Sequence, residues 1–468
     1  MAKGLISLGR KEGFPSRTYG RVERSPFLEG IVEDDGSKWR SPVTQNLIYK
    51  DLAENYNNSE KPDSQSFLRA VDKTIDLFKL KSKVKMIHLN DVFQQDLDIW
   101  SKSPGLPWSQ IGYKTKNDVR RDPDAVQSIR RLAHFIKQGH EISLPDCCAY
   151  VRSHTCEVGE FKVRAVWGYP ASVTFMEAMF ALPLIRAYKE LPASVRPIAY
   201  GFETLTGGMK HIVNRFSCKG KRFIGLDFSK FDKTVPAWLI EIAFDILSLN
   251  IDFVRYEDHG VADFIRMLQL YTALKKYFIH TPIRLANGQR FRKKSGIASG
   301  SYFTQLIGSV VNCILIHWIF YEQQNRGPEE TIFMGDDSLI ATRGKFSLEE
   351  AEILMSSIGM KLNAMKSQVE KSLRRVKFLG YYIGDGIPWK DRSDWITALL
   401  YPERPDYVWD DVQSRSLGLY YANMGVDYYI HNICKMLIRF RPFDLILPRN
   451  FERGLKMIGL CIDSLDPE

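Results

Sequence analysis

The chain has 468 residues, 44% of them hydrophobic, and its 65 Lys+Arg against 55 Asp+Glu leave a net charge of +10. One hydrophobic core does not grow to this length, so several subdomains around a shared cleft are expected, and the basic balance favours a polyanionic partner. Seven scattered cysteines, with only Cys147 and Cys148 adjacent, exclude a disulfide framework and a Cys-x-x-Cys zinc site, and His154 and Cys156 are too isolated for a metal centre.

From the start, Met1 to Pro15 carries charges and no apolar run, so a secretory signal is not expected and a reducing, cytoplasmic setting is favoured. Residues 1–60 are punctuated by Gly9, Gly13, Pro15, Gly20, Pro26, Gly30 and Gly36, which predicts an extended arm over other domains. A helical pattern runs from Asp63 to Phe78. Lys79, Lys81, Lys83 and Lys85 then alternate as on one strand face, either a phosphate-facing ridge or a charged edge that resists aggregation. Arg120, Arg121, Arg130 and Arg131 read as solvated surface. Phe161 to Val166 is β-like and puts Lys162 and Arg164 on one face. Arg222 to Leu226 is a short strand ending at Asp227. A Gly/Ser loop, Ser295 to Ser301, leads into a helix through Gln324. The apolar stretch Ile307 to Phe320 within it includes Asn312 and His317 and falls short of the roughly 20 residues of a membrane span, so it predicts a buried helix. Thr331 to Met334 and Ser338 to Ala341 flank Gly335-Asp336-Asp337, a hairpin with two acids at its turn. After Pro388 the chain turns helical and aromatic-rich, as a smaller C-terminal domain.

Phosphoryl transfer to a 3′-hydroxyl uses two divalent cations about 3.5 to 4 Å apart, and hard cations such as Mg²⁺ take carboxylate oxygens. Asp227 at a strand end and Asp336 and Asp337 at a turn converge if their strands are neighbours in one sheet. A solvated turn would explain the Gly-Asp-Asp triplet alone equally well. Thr304, Gly308 and Asn312, spaced four apart, form a polar stripe on an apolar helix. Such a stripe is either a packing groove or a ligand surface, and the nearby acids favour the second.

The order of segments carries a resemblance. Asp227-Phe228-Ser229-Lys230-Phe231-Asp232 resembles polymerase motif A, Ser295-Gly296-Ile297-Ala298-Ser299-Gly300 through Thr304 and Asn312 motif B, and Gly335-Asp336-Asp337 motif C. Gly359 through Lys366 is similar to motif D and Phe378-Leu379-Gly380-Tyr381 to motif E. Upstream, Arg152 with Lys162 and Arg164 resembles motif F, and Ser103-Pro104-Gly105-Leu106-Pro107 motif G. Together they resemble viral RNA-dependent RNA polymerases, most of all those of partitiviruses, which have double-stranded RNA genomes, with picobirnaviruses as cousins. One departure stands out: Gly308 occupies the position where many single-stranded RNA virus relatives carry Asn.

That resemblance implies an α+β right-hand polymerase with an antiparallel palm sheet. The arm would be 1–60, the fingers 61–205 and 255–292, the palm 206–254 and 293–388, and the thumb 389–468. It implies Asp227, Asp336 and Asp337 as ligands of two Mg²⁺, replaceable by Mn²⁺, and Lys366 as general acid, with Lys361 as fallback. Arg152, Lys162, Arg164, Asp232, Ser299, Gly300, Thr304 and Asn312 would contact the nucleotide, and Ser103, Gly105 and Pro107 the template. The partners implied are RNA template and product, ribonucleoside triphosphates and a capsid protein, with no membrane, in host cytoplasm inside a particle. A reverse transcriptase and a non-catalytic RNA-binding or capsid-associated protein are the alternatives. Asp232 stands where reverse transcriptases place a bulky aromatic, and a binding protein has no need of Asp227, Asp336 and Lys366 together.

Overall fold

The computed structural model describes residues 4–15, 24–34, 36–258 and 260–446. At its centre lies a four-stranded sheet in the order Glu330–Met334, Asp337–Thr342, Arg222–Gly225, Gln368–Glu370, every neighbouring pair antiparallel. Alternation along these strands explains why both faces are covered. Ile224, Phe333 and Ile340 enter one apolar cluster with the helix Thr304–Gln324, whereas Phe223, Ile332, Leu339 and Ala341 enter another with Met209, Phe216 and Phe378. Successive side chains point to opposite faces, so a strand buried on both sides must be apolar throughout.

The helix Thr304–Gln324 is long and apolar enough to cross a membrane, yet it is packed inside the protein, with every residue from Leu306 to Phe320 buried. It lies against the helix Gln65–Phe78, which Ser64 caps by accepting from the Phe67 amide. Between them Phe67 is fully buried, edge-on to Trp238 at 5.6 Å and to Trp318 at 5.4 Å.

A second sheet has five strands in the order Leu5–Arg10, Gln289–Lys293, Pro282–Arg284, Cys147–Ser153, Val163–Gly168. The arm supplies its first strand, and the arm's further course meets the C-terminal helices Arg392–Leu400, Trp409–Asn423 and Tyr428–Arg439. There Leu28 and Val32 pack with Leu399, Leu400, Val412 and Leu437. The Arg40 guanidinium donates to Tyr401 O and to Ser153 O, tying those helices to the second sheet. The arm also contains a helix, Gln45–Ala53, that its glycine and proline punctuation does not suggest.

The lysine alternation is only partly a strand. Val84–Met86 pairs in parallel with Ile251–Tyr256, but Lys79, Lys81 and Lys83 precede it in irregular backbone, all exposed. Asn250 is the physical reason, because its Oδ1 takes the Leu80 amide and its carbonyl takes the Val84 amide, drawing the chain around one residue.

Phe67→Ala should cost about 3–5 kcal/mol through the cavity left between two tryptophans. The expected result is a melting temperature several degrees lower. An unchanged melt would place the stability of this helix pair elsewhere.

Candidate active site

The hairpin has a two-residue turn, with Met334 opposite Asp337 and a positive φ of 62° at Gly335. Glycine at the first central position suits a turn that matches the strands' twist. The turn's height is set by the long helix beneath it. Ser309 Oγ accepts from the Gly335 amide at 2.9 Å, and Asn312 Nδ2 donates to Gly335 O at 3.0 Å and Asp336 O at 2.9 Å. A Cβ added at Gly308 would stand 3.1 Å from Gly335 Cα, so glycine there lets the turn sit down on the helix. The polar stripe is therefore a packing groove, not the ligand surface expected of it. Asn312 is fully buried under the turn, not facing open space, and its Oδ1 has no partner among the described residues.

Asp227 follows the neighbouring strand and is bracketed from both sides. Lys361–Leu362 pairs with Phe228–Ser229 after it, and Gln368–Glu370 pairs with the strand before it. Between these ladders Asn363 N donates to Asp227 O at 2.7 Å and Asp227 N donates to Ser367 Oγ at 3.0 Å. The turn holding Lys366 is thus bonded around Asp227. Among the two candidate lysines, Lys366 is the one whose charge acts on Asp227 and on Lys162.

Asp232 lies in the one-turn helix Phe231–Thr234, which follows a left-handed Lys230. Its carbonyl accepts from the Ile297 amide at 2.6 Å, so the Gly/Ser loop rests on it. That loop also lies along the free edge of Val163–Gly168. Ser299 Oγ accepts from the Trp167 amide at 3.3 Å, and a Cβ at Gly300 would come 1.8 Å from Trp167 O, which only glycine avoids. Thr304 Oγ1 donates to Ala298 O at 2.6 Å, closing the loop onto its helix.

The same strand carries the basic wall. Arg152 stands directly opposite Arg164, and Lys162 and Arg164 are exposed while Val163, Ala165 and Trp167 are buried, as the alternation predicted. Like charges opposite one another across two strands destabilise them, so this face concentrates uncompensated positive charge. Burial first, then Lys366 and Arg164, hold the Lys162 amine below its ordinary pKa, with Asp227 pulling the other way.

Two buried charges that sequence reasoning missed hold the loop from below. Lys293 Nζ donates to Phe278 O, Ile279 O and Gly296 O at 2.5, 2.8 and 2.6 Å, and burial brings its pKa down to about 7. Glu177 accepts from Ser301 Oγ at 2.7 Å and the Tyr302 amide at 3.0 Å, and burial pushes its pKa up to about 8. A lone charge between Ala171 and Ile185, the apolar part of the helix Ala171–Glu190, was the signal available for Glu177. Of the template candidates, Pro107 is exposed, Ser103 is half-buried and bonded to Tyr150 OH at 2.7 Å, and Gly105 is buried, so a contact to Gly105 is closed off.

The side chains of Asp227, Asp336 and Asp337 are exposed, yet the surrounding protein takes part of their hydration. Desolvation raises all three pKa values. Asp336 is further raised by Asp232 and Asp227 and held back by Arg164; Asp337 is pushed to about 7, with Asp336 and Asp227 adding to the desolvation. Among the described residues no three acidic, His or Cys side chains already converge as a cation cage. The donor chemistry nonetheless fits hard divalent cations, since the set is all carboxylate and added positive charge would offset its mutual repulsion.

An antiparallel sheet bearing acids at one hairpin turn and one strand end, facing a basic strand over a glycine-rich loop, defines a right-hand polymerase palm. The chain belongs to the viral RNA-dependent RNA polymerase family, whose sequence model matches residues 17–440. It is 27% identical over 337 residues to the RNA-directed RNA polymerase of Atkinsonella hypoxylon virus, covering 62% of this chain and 50% of that one. It is 28% identical over 360 residues to that of Cryptosporidium parvum virus 1, covering 71% and 64%. The chain thus spans about half to just under two thirds of these curated relatives. The fold matches the Sicinivirus 3Dpol RNA dependent RNA polymerase with a TM-score of 0.73 at 14% identity, covering 97% of this chain and 99% of that one.

In the cation-free protein Asp337 keeps its proton up to about pH 7, whereas an unfolded aspartate ionises near about 3.9. Between those values the folded state binds the extra proton, so this group weakens the fold as pH rises through the window. Asp337→Asn should therefore raise the melting temperature in EDTA clearly at pH 8 and much less at pH 5. An equal offset at both pH values would show that the carboxylate is not the destabilising group.

Proposed function

We propose that the chain performs template-directed RNA synthesis for a viral, double-stranded RNA genome. The observation that carries the reading is the electrostatic coupling of two opposed sets. Asp227, Asp336 and Asp337 raise one another's pKa values or are raised by desolvation, while Lys366, Lys162 and Arg164 act on Asp227 and Arg164 acts on Asp336. A binding protein gains nothing from acids that repel its ligand's phosphates.

Asp227 and Asp336 are the principal residues to hold two Mg²⁺, or Mn²⁺ in their place, with Asp337 the more tolerant member. Bound there, the cations would supply activation of the attacking oxygen and charge compensation for the leaving group. The rest falls to side chains of this chain. Lys162, Arg164 and Arg152 would hold the triphosphate as the 3′-oxygen attacks the α-phosphorus and the bond to the β-phosphate breaks. Lys366, exposed on the turn bracketing Asp227, would give its proton to the departing pyrophosphate. Asp232 and Ser299 would read the ribose, while Asn312 and Thr304 support the turn and loop from beneath. Ser103 and Pro107 remain candidates for the template. The relatives' viral polymerase names support ribonucleoside triphosphates and RNA as partners, and we place the enzyme in host cytoplasm, working with a capsid protein inside a particle.

Asp336→Asn keeps the turn's shape and removes a cation ligand. Folding should survive while primed nucleotide incorporation with Mg²⁺ falls by orders of magnitude; near-normal synthesis would remove the two-cation proposal. Asp232→Ala should leave the 2′-hydroxyl unread. A site built for a hydroxyl rejects the analogue lacking it by up to about 10⁴ to 10⁵, so the kcat/KM ratio of GTP to dGTP should fall towards one. If both rates fall in step and the ratio holds, the sugar is read elsewhere.

A further inference from the structure

The arm helix Gln45–Ala53 places one acid where two parts of the site meet. Asp51 is nearly buried, its side chain 10% exposed, and its Oδ2 accepts from Lys233 Nζ at 2.8 Å and from the Ala165 amide at 2.6 Å. Lys233, only 4% exposed, follows Asp232 in sequence, and its Nζ stands 3.9 Å from Asp232 Oδ2. Ala165 follows Arg164 on the strand of the basic wall, and its amide points away from the partner strand Cys147–Ser153, along the same free edge as the Trp167 amide that reaches Ser299. One carboxylate oxygen therefore joins the acid facing the sugar to the strand facing the phosphates.

The chain just after it continues the pattern. The Asn57 amide donates to Ser295 Oγ at 2.9 Å, and Asn57 Nδ2 donates to Thr234 O at 2.6 Å and Ile358 O at 2.7 Å. Residues 51–57 thus touch the strand of Arg164, the turn of Asp232, the Gly/Ser loop and the end of the helix leading to the Lys366 segment.

We propose that Asp51 is a positioning residue that sets Asp232 relative to Arg164, so that the arm couples ribose selection to triphosphate grip. A well-packed apolar pair in place of a buried ion pair is often as stable or more so, so what the charges add at this spot is direction. Lys233, anchored on Asp51 at 2.8 Å, presents its charge to the Asp232 carboxylate at 3.9 Å from one fixed side. The proposal rests on the polymerase reading.

The decisive variant is the double substitution D51N/K233M, which keeps both volumes and leaves no unpaired buried charge, as D51N alone would. Primed single-nucleotide incorporation with GTP and dGTP, a melting curve and template affinity are measured beside the wild type. The expected result is a melt within a few degrees of wild type and unchanged template affinity, with the GTP to dGTP ratio of kcat/KM lower by roughly tenfold, the size of one lost polar contact. A double variant with the wild-type ratio overturns the coupling and leaves the polymerase reading intact. A wild type that incorporates no nucleotide with either Mg²⁺ or Mn²⁺ overturns both.

Discussion

Carboxylates brought close to one another lose water and repel, and the surrounding structure is organised against that strain. Left to themselves, Asp227, Asp336 and Asp337 would spread apart. They do not, because backbone bonds hold the segments that carry them, and Asn363 also meets the Asp227 side chain. The turn carrying Asp336 is bonded to Ser309 and Asn312 below it, and Asp227 is pinned between two short ladders. A site held this way keeps its acids together against their repulsion, the direction in which desolvation and its neighbours raise the pKa of Asp337. The basic wall repeats the pattern with the sign reversed, Arg152 facing Arg164 on adjacent strands.

The Gly/Ser loop between these walls has no regular ladder, so its order comes from below. Lys293 takes the Gly296 carbonyl and Glu177 takes Ser301 Oγ and the Tyr302 amide, one buried cation and one buried acid at opposite ends of the loop. Among the described residues neither forms an ion pair; each bonds neutral groups, and burial draws both pKa values toward neutrality. Such groups give the loop direction in a low-dielectric interior, where an unmet partner is costly.

The sequence was most legible where short-range pattern decides the structure. The hairpin, the loop-then-helix and the exposed face of Lys162 and Arg164 follow from periodicity and turn chemistry, and the order of motifs pointed to the family. Side-chain orientation on the long helix was not legible. Thr304, Gly308 and Asn312 share a stripe whatever they face, and only the register of the hairpin against that helix shows it to be a groove for Gly335. Asp51, Glu177 and Lys293 were missed for a related reason. Each acts on residues far away in sequence, and an isolated charge in a helix or strand looks the same whether it points to water or inward. The lysine alternation failed locally, since Asn250 redirects a backbone whose side-chain pattern alone suggests a straight strand.

The arm's first strand also bears on how the protein is made. Leu5 pairs with Lys293 and Ser7 with Phe291, so this segment finds its partner only after nearly 300 further residues have been made. Contacts so distant in sequence form slowly. The strand Gln289–Lys293 therefore presents an unpaired edge in the nascent chain until the arm returns to it, and an open edge is a template for pairing with another chain. The seam between Leu5–Arg10 and Gln289–Lys293 is thus one that closes late and can be captured by another chain before it does. Yield in a cell-free translation should depend on how quickly that seam closes, independently of how well the finished enzyme works.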